Sequence, residues 1–315
     1  MSSFISNTLI FGIAVAVERL ISFFLLPVLT KSISPTEYAI WAQSIVAVGV
    51  LSPLILMGFQ TAIVKYFPLW ASKTSERDSV LFAMVFIIMI LLVIVSALSI
   101  LLPDRIAILV YGQSRYKAFI PLLVAFLASE ALYQFLIAIL RATNRFKMIS
   151  LYTILKGAWR LGVFILVLYG TKSNFYRAFL AFTLIQSLFI ILMYIKDVPY
   201  IDIFKSGMYN GRKHWKEVMS FSLPLVALWI TTGINNFTDR FFLIHICGLE
   251  DVAAYLAAFS LVAVSAIFYS VLGLTLFPAL AQSWAKNNRE DAALMVERAI
   301  QVYLIFILPF IACAA

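Results

Sequence analysis

Residues 79–102 read SVLFAMVFIIMILLVIVSALSILL, without one charged side chain. A helix needs about 20 apolar residues to cross the hydrocarbon core of a bilayer. This run is long enough, and its flanks are polar: Arg77-Asp78 before it, Asp104-Arg105 after it. Working outward, eight further apolar runs appear, at 8–30, 38–64, 118–140, 149–170, 176–195, 218–247, 252–284 and 299–315. The chain stops within the last, at Ala315, as expected of a second bundle that is incomplete.

Composition agrees. Of the 315 residues 63% are hydrophobic and 12% charged. A soluble domain carries about 25% charged residues, enough to clothe one core, and this chain cannot do that. Lipid is then the outer solvent, and only helices or closed barrels satisfy their backbone there. The expected fold is an all-α polytopic membrane protein of about nine spans.

The net charge of +9 does not indicate nucleic acid, because the basic residues sit at helix ends. They set orientation instead. With the N-terminus inside, the inner loops hold fourteen Lys and Arg and the outer loops six, so a cytoplasmic N-terminus is expected. Residues 1–7 lack Lys and Arg, and the first run is too long for a signal peptide. Cys247 and Cys313 suit neither a metal site nor a disulfide framework and read as small apolar fillers. His214 and His245 are too far apart to suggest a metal pair, and there is no Gly-rich phosphate loop. Trp41, Trp70, Tyr38, Tyr66, Trp215 and Trp284 stand near span ends, as an interfacial aromatic belt does.

The longest polar stretch, Lys196 to Glu217, follows six runs. It divides the chain into a six-helix bundle, 1–198, a cytoplasmic linker, 199–217, and a partial second bundle, 218–315. A weak repeat crosses it. Glu18-Arg19 in the first run answers to Asp239-Arg240 in the seventh, Tyr38 to Tyr255, and Trp70 to Trp284, in the same order and at nearly constant spacing. Six helices per copy give both copies one orientation, related by a pseudo-two-fold axis along the membrane normal.

Seven ionisable residues fall inside spans: Glu18, Arg19, Glu130, Lys156, Arg160, Asp239 and Arg240. Uncompensated in lipid, they would cost on the order of 20 kcal/mol together, so they face one another or a cavity. Arg19, Glu130 and Arg160 fall near the middles of their spans, and Lys156 lies one turn, about 6 Å, from Arg160. Neighbours on a helix point about 100° apart, so Glu18 and Arg19 are not expected simply to neutralise each other. Two readings stay open. The charges are ion pairs that fix packing, Arg19 with Glu130 for example, or they line a cavity between the bundles, Arg19 on one wall and Arg240 on the other. Four cations against three anions favour an anionic ligand, and guanidinium groups suit phosphate. A carboxylate at that depth suits H+ or Na+ coupling.

The stretch Arg19 to Trp41, RLISFFLLPVLTKSISPTEYAIW, resembles the opening of the polysaccharide transporters, the lipid-linked oligosaccharide flippases of the multidrug/oligosaccharidyl-lipid/polysaccharide exporter superfamily. Pro27, Thr30, Ser34, Pro35, Glu37 and Tyr38 match the family's pattern, and Ala39 stands where Gly is usual. Ser222-Leu223-Pro224, Asp239-Arg240, Gly248 and Tyr255 continue the likeness, with Ala254 as the small residue before the tyrosine. The resemblance implies a transporter and not an enzyme, in a bacterial inner membrane, working by alternating access. It implies a polyprenyl-diphosphate-linked oligosaccharide as substrate, O-antigen or another surface polysaccharide unit. It also implies membrane lipids and other polysaccharide-assembly proteins as partners, and no cofactor beyond a coupling ion. Arg19, Lys156, Arg160 and Arg240 are the expected substrate ligands. Glu18, Glu130 and Asp239 are the expected coupling or pairing carboxylates. A cation-coupled drug antiporter of the same superfamily is the near alternative. A membrane-bound polysaccharide ligase or polymerase is the distant one, because residues 103–117, the longest outer loop, hold no His and only Asp104 as an acid.

Overall fold

The computed structural model of the chain describes residues 2–67, 74–170, 174–197, 212–262 and 289–314. Among them every regular element is a helix. In chain order these are α1 (Ser2–Ser32), α2 (Pro35–Ile55), α3 (Phe59–Tyr66), α4 (Thr74–Leu101), α5 (Pro103–Tyr111), a 3-10 turn (Ser114–Phe119), α6 (Ile120–Ala142), α7 (Phe146–Ile165) with a π turn (Leu166–Gly170), α8 (Phe175–Asp197), α9 (Arg212–Ile246), α10 (Leu249–Val262) and α11 (Arg289–Ala314). Among the described residues eight helices are long and apolar enough to cross a membrane. The expected run 252–284 is described only to Val262, and the rest of it lies outside the described residues, as do linker residues 198–211.

Two expected shapes are corrected. The run 38–64 is not one helix. It breaks at Met57 and Gly58, whose φ of 47° and 74° are left-handed. Gly58 has to be small as well: a Cβ there would meet the Ser222 carbonyl oxygen at 3.0 Å and the Leu225 Cβ at 3.2 Å. The break therefore lets α9 pack directly on the backbone. Residues 103–117 are not a loop. Pro103 and Asp104 open α5, Gly112 at φ 77° closes it, and the 3-10 turn follows.

The motif Ser34-Pro35-Thr36-Glu37 has a local cause. The Glu37 amide donates to Ser34 Oγ at 3.3 Å, and the Ser34 amide donates to Glu37 Oε2 at 2.9 Å. This is a capping box with proline in the first turn, and it starts α2 immediately after α1 ends. The second half makes the same short connection differently, with Cys247 and Gly248, the latter at φ 98°. Cys247 is exposed there and is not an apolar filler.

Aligning the two connections, Ser32 with Ile246, gives the same spacing that separates Trp70 from Trp284. In that alignment Arg19 stands two helical turns further from its connection than Arg240 does from its own. Two full turns return a side chain to within about 20° of the same face. The two arginines thus share a face but not a level.

The core centres on α2 and α6. Trp41 is 2% exposed and packs against Phe126, Phe164, Phe179 and Phe182 at ring separations of 4.7–5.9 Å. It belongs to the core and not to an aromatic belt, and Tyr38 is buried beside it. Trp215 packs on Phe59, while Trp70 and Trp284 lie outside the described residues. Large apolar side chains on α4, among them Val93, Ile94 and Leu98, are exposed, as lipid-facing positions are.

Candidate functional site: two polar cavities around Glu18

The site begins with the packing of α1 on α7. Gly157 lets these helices approach, since a Cβ there would come within 3.2 Å of Glu18 Cγ. One turn further along α7, Arg160 Nη2 donates to Glu18 Oε1 at 2.9 Å and also to Ser22 Oγ. The Ser22 hydroxyl in turn donates to Glu18 Oε1 at 2.9 Å. Glu18 and Ser22 are four residues apart on one face of α1, so a single guanidinium reaches both.

This ion pair faces a cavity of about 450 Å³ between α1, α2, α7 and α10. Arg19, Arg160 and Arg240 all reach its wall, and Glu18 is the one carboxylate there among the described residues. Arg240, 5% exposed, enters from α9 and lies 4.4 Å from the Phe259 ring centroid. Its own carboxylate neighbour is Asp239, whose Oδ1 lies 3.3 Å from Arg240 Nη1 and accepts the Arg240 amide at 2.8 Å. The Tyr255 hydroxyl donates to the other Asp239 oxygen. Asp239 is not on the cavity wall. Arg19 is exposed, and among the described residues no carboxylate pairs with it. Arg160 is paired with Glu18 and Arg240 with Asp239, so Arg19 supplies the positive charge on this wall that no carboxylate answers among the described residues.

A second cavity, of about 520 Å³, lies against α3, α6, α7 and α9, and Glu18 is on its wall too. Lys156 enters here. Its Nζ donates to both oxygens of Glu130 at 2.7 Å and lies 4.2 Å from the Tyr133 ring centroid. Gln134 and Gln186 donate to the same carboxylate at 3.3 and 3.4 Å. Glu130 sits behind Lys156 and Gln134, off the wall. Both partners are mostly buried, with side-chain exposures of 17% and 14%, so each charge depends on the other.

The structure therefore brings Arg19, Arg160 and Arg240 together and leaves Lys156 in the adjoining cavity. Lys156 and Arg160 are one turn apart on α7, but Glu130 on α6 takes the first and Glu18 on α1 takes the second. The pairing of Arg19 with Glu130 is not observed. Residues that the sequence reading passed over complete the site: Ser22, Gln134, Tyr133, Gln186, Trp229 and Phe259. Two of them had a visible signal, since Ser22 and Gln134 each follow an intramembrane carboxylate by four positions.

A chain with eight candidate membrane spans among the described residues, every regular element there a helix, is an all-α polytopic membrane protein. The family model described as "polysaccharide biosynthesis protein" matches residues 4–284, and the chain belongs to that family. No curated protein and no solved structure matches it significantly.

Proposed function

We propose that the protein is a flippase that carries a polyprenyl-diphosphate-linked oligosaccharide across a bacterial inner membrane. The observation that carries this reading is the 450 Å³ cavity with Arg19, Arg160 and Arg240 on its wall, where Arg19 has no carboxylate partner among the described residues. In low dielectric a surplus of guanidinium calls for an anion, and the planar fork matches phosphate oxygens two at a time. A diphosphate offers enough oxygens for arginines arriving from separate helices. Arg19 and Arg160 come from the first bundle, 1–198, and Arg240 from the second, 218–315. Rocking of the two about the 199–217 linker would open the site to each side in turn, as alternating access requires. Drug cations would be repelled by the same surplus, which disfavours the antiporter reading.

The test is reconstitution of the chain in vesicles holding a fluorescent polyprenyl-diphosphate oligosaccharide. Wild-type protein should move the label between leaflets faster than protein-free vesicles, and simultaneous replacement of the three arginines by Gln should abolish the gain. Equal rates with and without protein would contradict the proposal. The topology has its own check. Cysteine placed at Gly207 should react with an impermeant thiol reagent only from the cytoplasmic side.

A further inference from the structure

The second cavity differs chemically from the first, although Glu18 joins them. Its inner cation is already satisfied, because Lys156 gives two 2.7 Å bonds to Glu130. Its wall also carries Arg141, exposed near the end of α6, and beyond these charges it mixes aromatic faces with amides and hydroxyls: Tyr133, Trp229, Gln60, Gln134 and Thr153. Two of these hold hydrogen-bonding capacity in reserve. Trp229 Nε1 is buried and has no partner among the described residues. The Gln60 amide, on α3, is part-exposed on the same wall. A buried donor without a partner is costly, so the Trp229 indole points to a ligand that carries acceptors, and Gln60 is placed to bond the same ligand.

We propose that this cavity binds the sugar part of the substrate, through hydroxyl groups and a ring face, while the arginine cavity holds the diphosphate. Hydroxyls both donate and accept, which fits a wall of amide, indole and phenol groups. An aromatic ring offers an apolar surface to the C–H face of a sugar. The volume of about 520 Å³ lies within the ~300–1,000 Å³ usual for small-ligand sites. Adjacency is required as well, because sugar and diphosphate are covalently continuous, and the two cavities share the Glu18 wall. The assignment rests on the flippase reading but makes a claim of its own.

The experiment compares two probes on purified full chain in nanodiscs: polyprenyl diphosphate, and the same lipid bearing an oligosaccharide. The variant is Gln60→Leu combined with Trp229→Phe, which removes two donors while keeping the aromatic face. Neither side chain bonds elsewhere among the described residues, so folding should be undisturbed. The wild type should bind the sugar-bearing lipid more tightly. The variant should lose about tenfold for that lipid, the equivalent of about 1.4 kcal/mol, and nothing for the bare diphosphate. Equal wild-type affinity for the two lipids would overturn the sugar site and leave the flippase reading standing, as would a variant that weakens both alike. Binding of neither lipid would overturn both proposals.

Discussion

In the cavity against α10, Arg19 has no carboxylate partner among the described residues, while in the cavity against α3 the lysine is tied through both oxygens of Glu130. The sequence presented all these charges alike, as ionisable residues inside spans. The structure separates them by whether the charge is answered locally. Lys156 and Glu130 are mutually dependent and sit within a net of glutamine amides. Arg19 is exposed and Arg240 rests on an aromatic ring beside its own Asp239. Paired charge fixes how helices pack, and surplus charge is left for a ligand. This difference decides which residues should matter for folding and which for binding.

The largest expected effect breaks the paired side. Glu130→Ala strands Lys156, and removing one partner of a buried ion pair costs about 3–5 kcal/mol. Unfolding of the variant in detergent should reveal that loss, and Glu130→Leu with Lys156→Met should recover most of it. Arg19→Gln should change stability by less than ~0.5 kcal/mol, as surface substitutions do. A large loss from Arg19→Gln, or none from Glu130→Ala, would erase the distinction between the cavities.

A smaller effect sharpens the boundary of the second cavity. Gly58→Ala forces an alanine to φ 74° and sets its Cβ 3.0 Å from the Ser222 carbonyl oxygen. A cost of about 1–3 kcal/mol is expected. Because α3 carries Gln60 and Thr61 on that cavity's wall, binding of the sugar-bearing lipid should fall more than binding of bare diphosphate. The same loss for both lipids would show that α3 does not act through the sugar cavity.

The smallest effect is a control outside both cavities. Ser34→Ala removes the side-chain cap of α2, worth about 1 kcal/mol. Thermal unfolding should register that cost, while both lipids bind as before. A change in binding would mean that the α1–α2 connection is part of the transport cycle.

The spans were legible because their signal is length and apolarity, which depend on lipid and hardly on neighbours. The break at Met57-Gly58 was not, because what decides it is the approach of α9 at Ser222, which lies in the other half of the chain. Helix α5 was legible in principle: Pro103, Asp104 and Gly112 are start and stop signals, read as a loop because the segment lies between two spans. Trp41 was placed in the belt by its position in the chain, yet its ring is enclosed by α6, α7 and α8, whose arrangement sequence does not state. Likewise the seven charges were visible, and a cavity between Arg19 and Arg240 was expected because neighbours on a helix point about 100° apart and cannot simply neutralise each other. Their pairing was not visible, because it depends on α1 packing against α7 and on α6 lying beside it.

The central claim is that surplus guanidinium in the first cavity holds a diphosphate. The most direct measurement is the dissociation constant of polyprenyl diphosphate for the purified chain in nanodiscs, wild type against Arg19→Gln. Arg19 is the arginine to change, since it is exposed and no carboxylate among the described residues pairs with it. A charge-assisted hydrogen bond is worth about 1.5–3 kcal/mol, so the constant should rise at least about tenfold, with the melting temperature unchanged. An unchanged dissociation constant in a correctly folded variant would contradict the account.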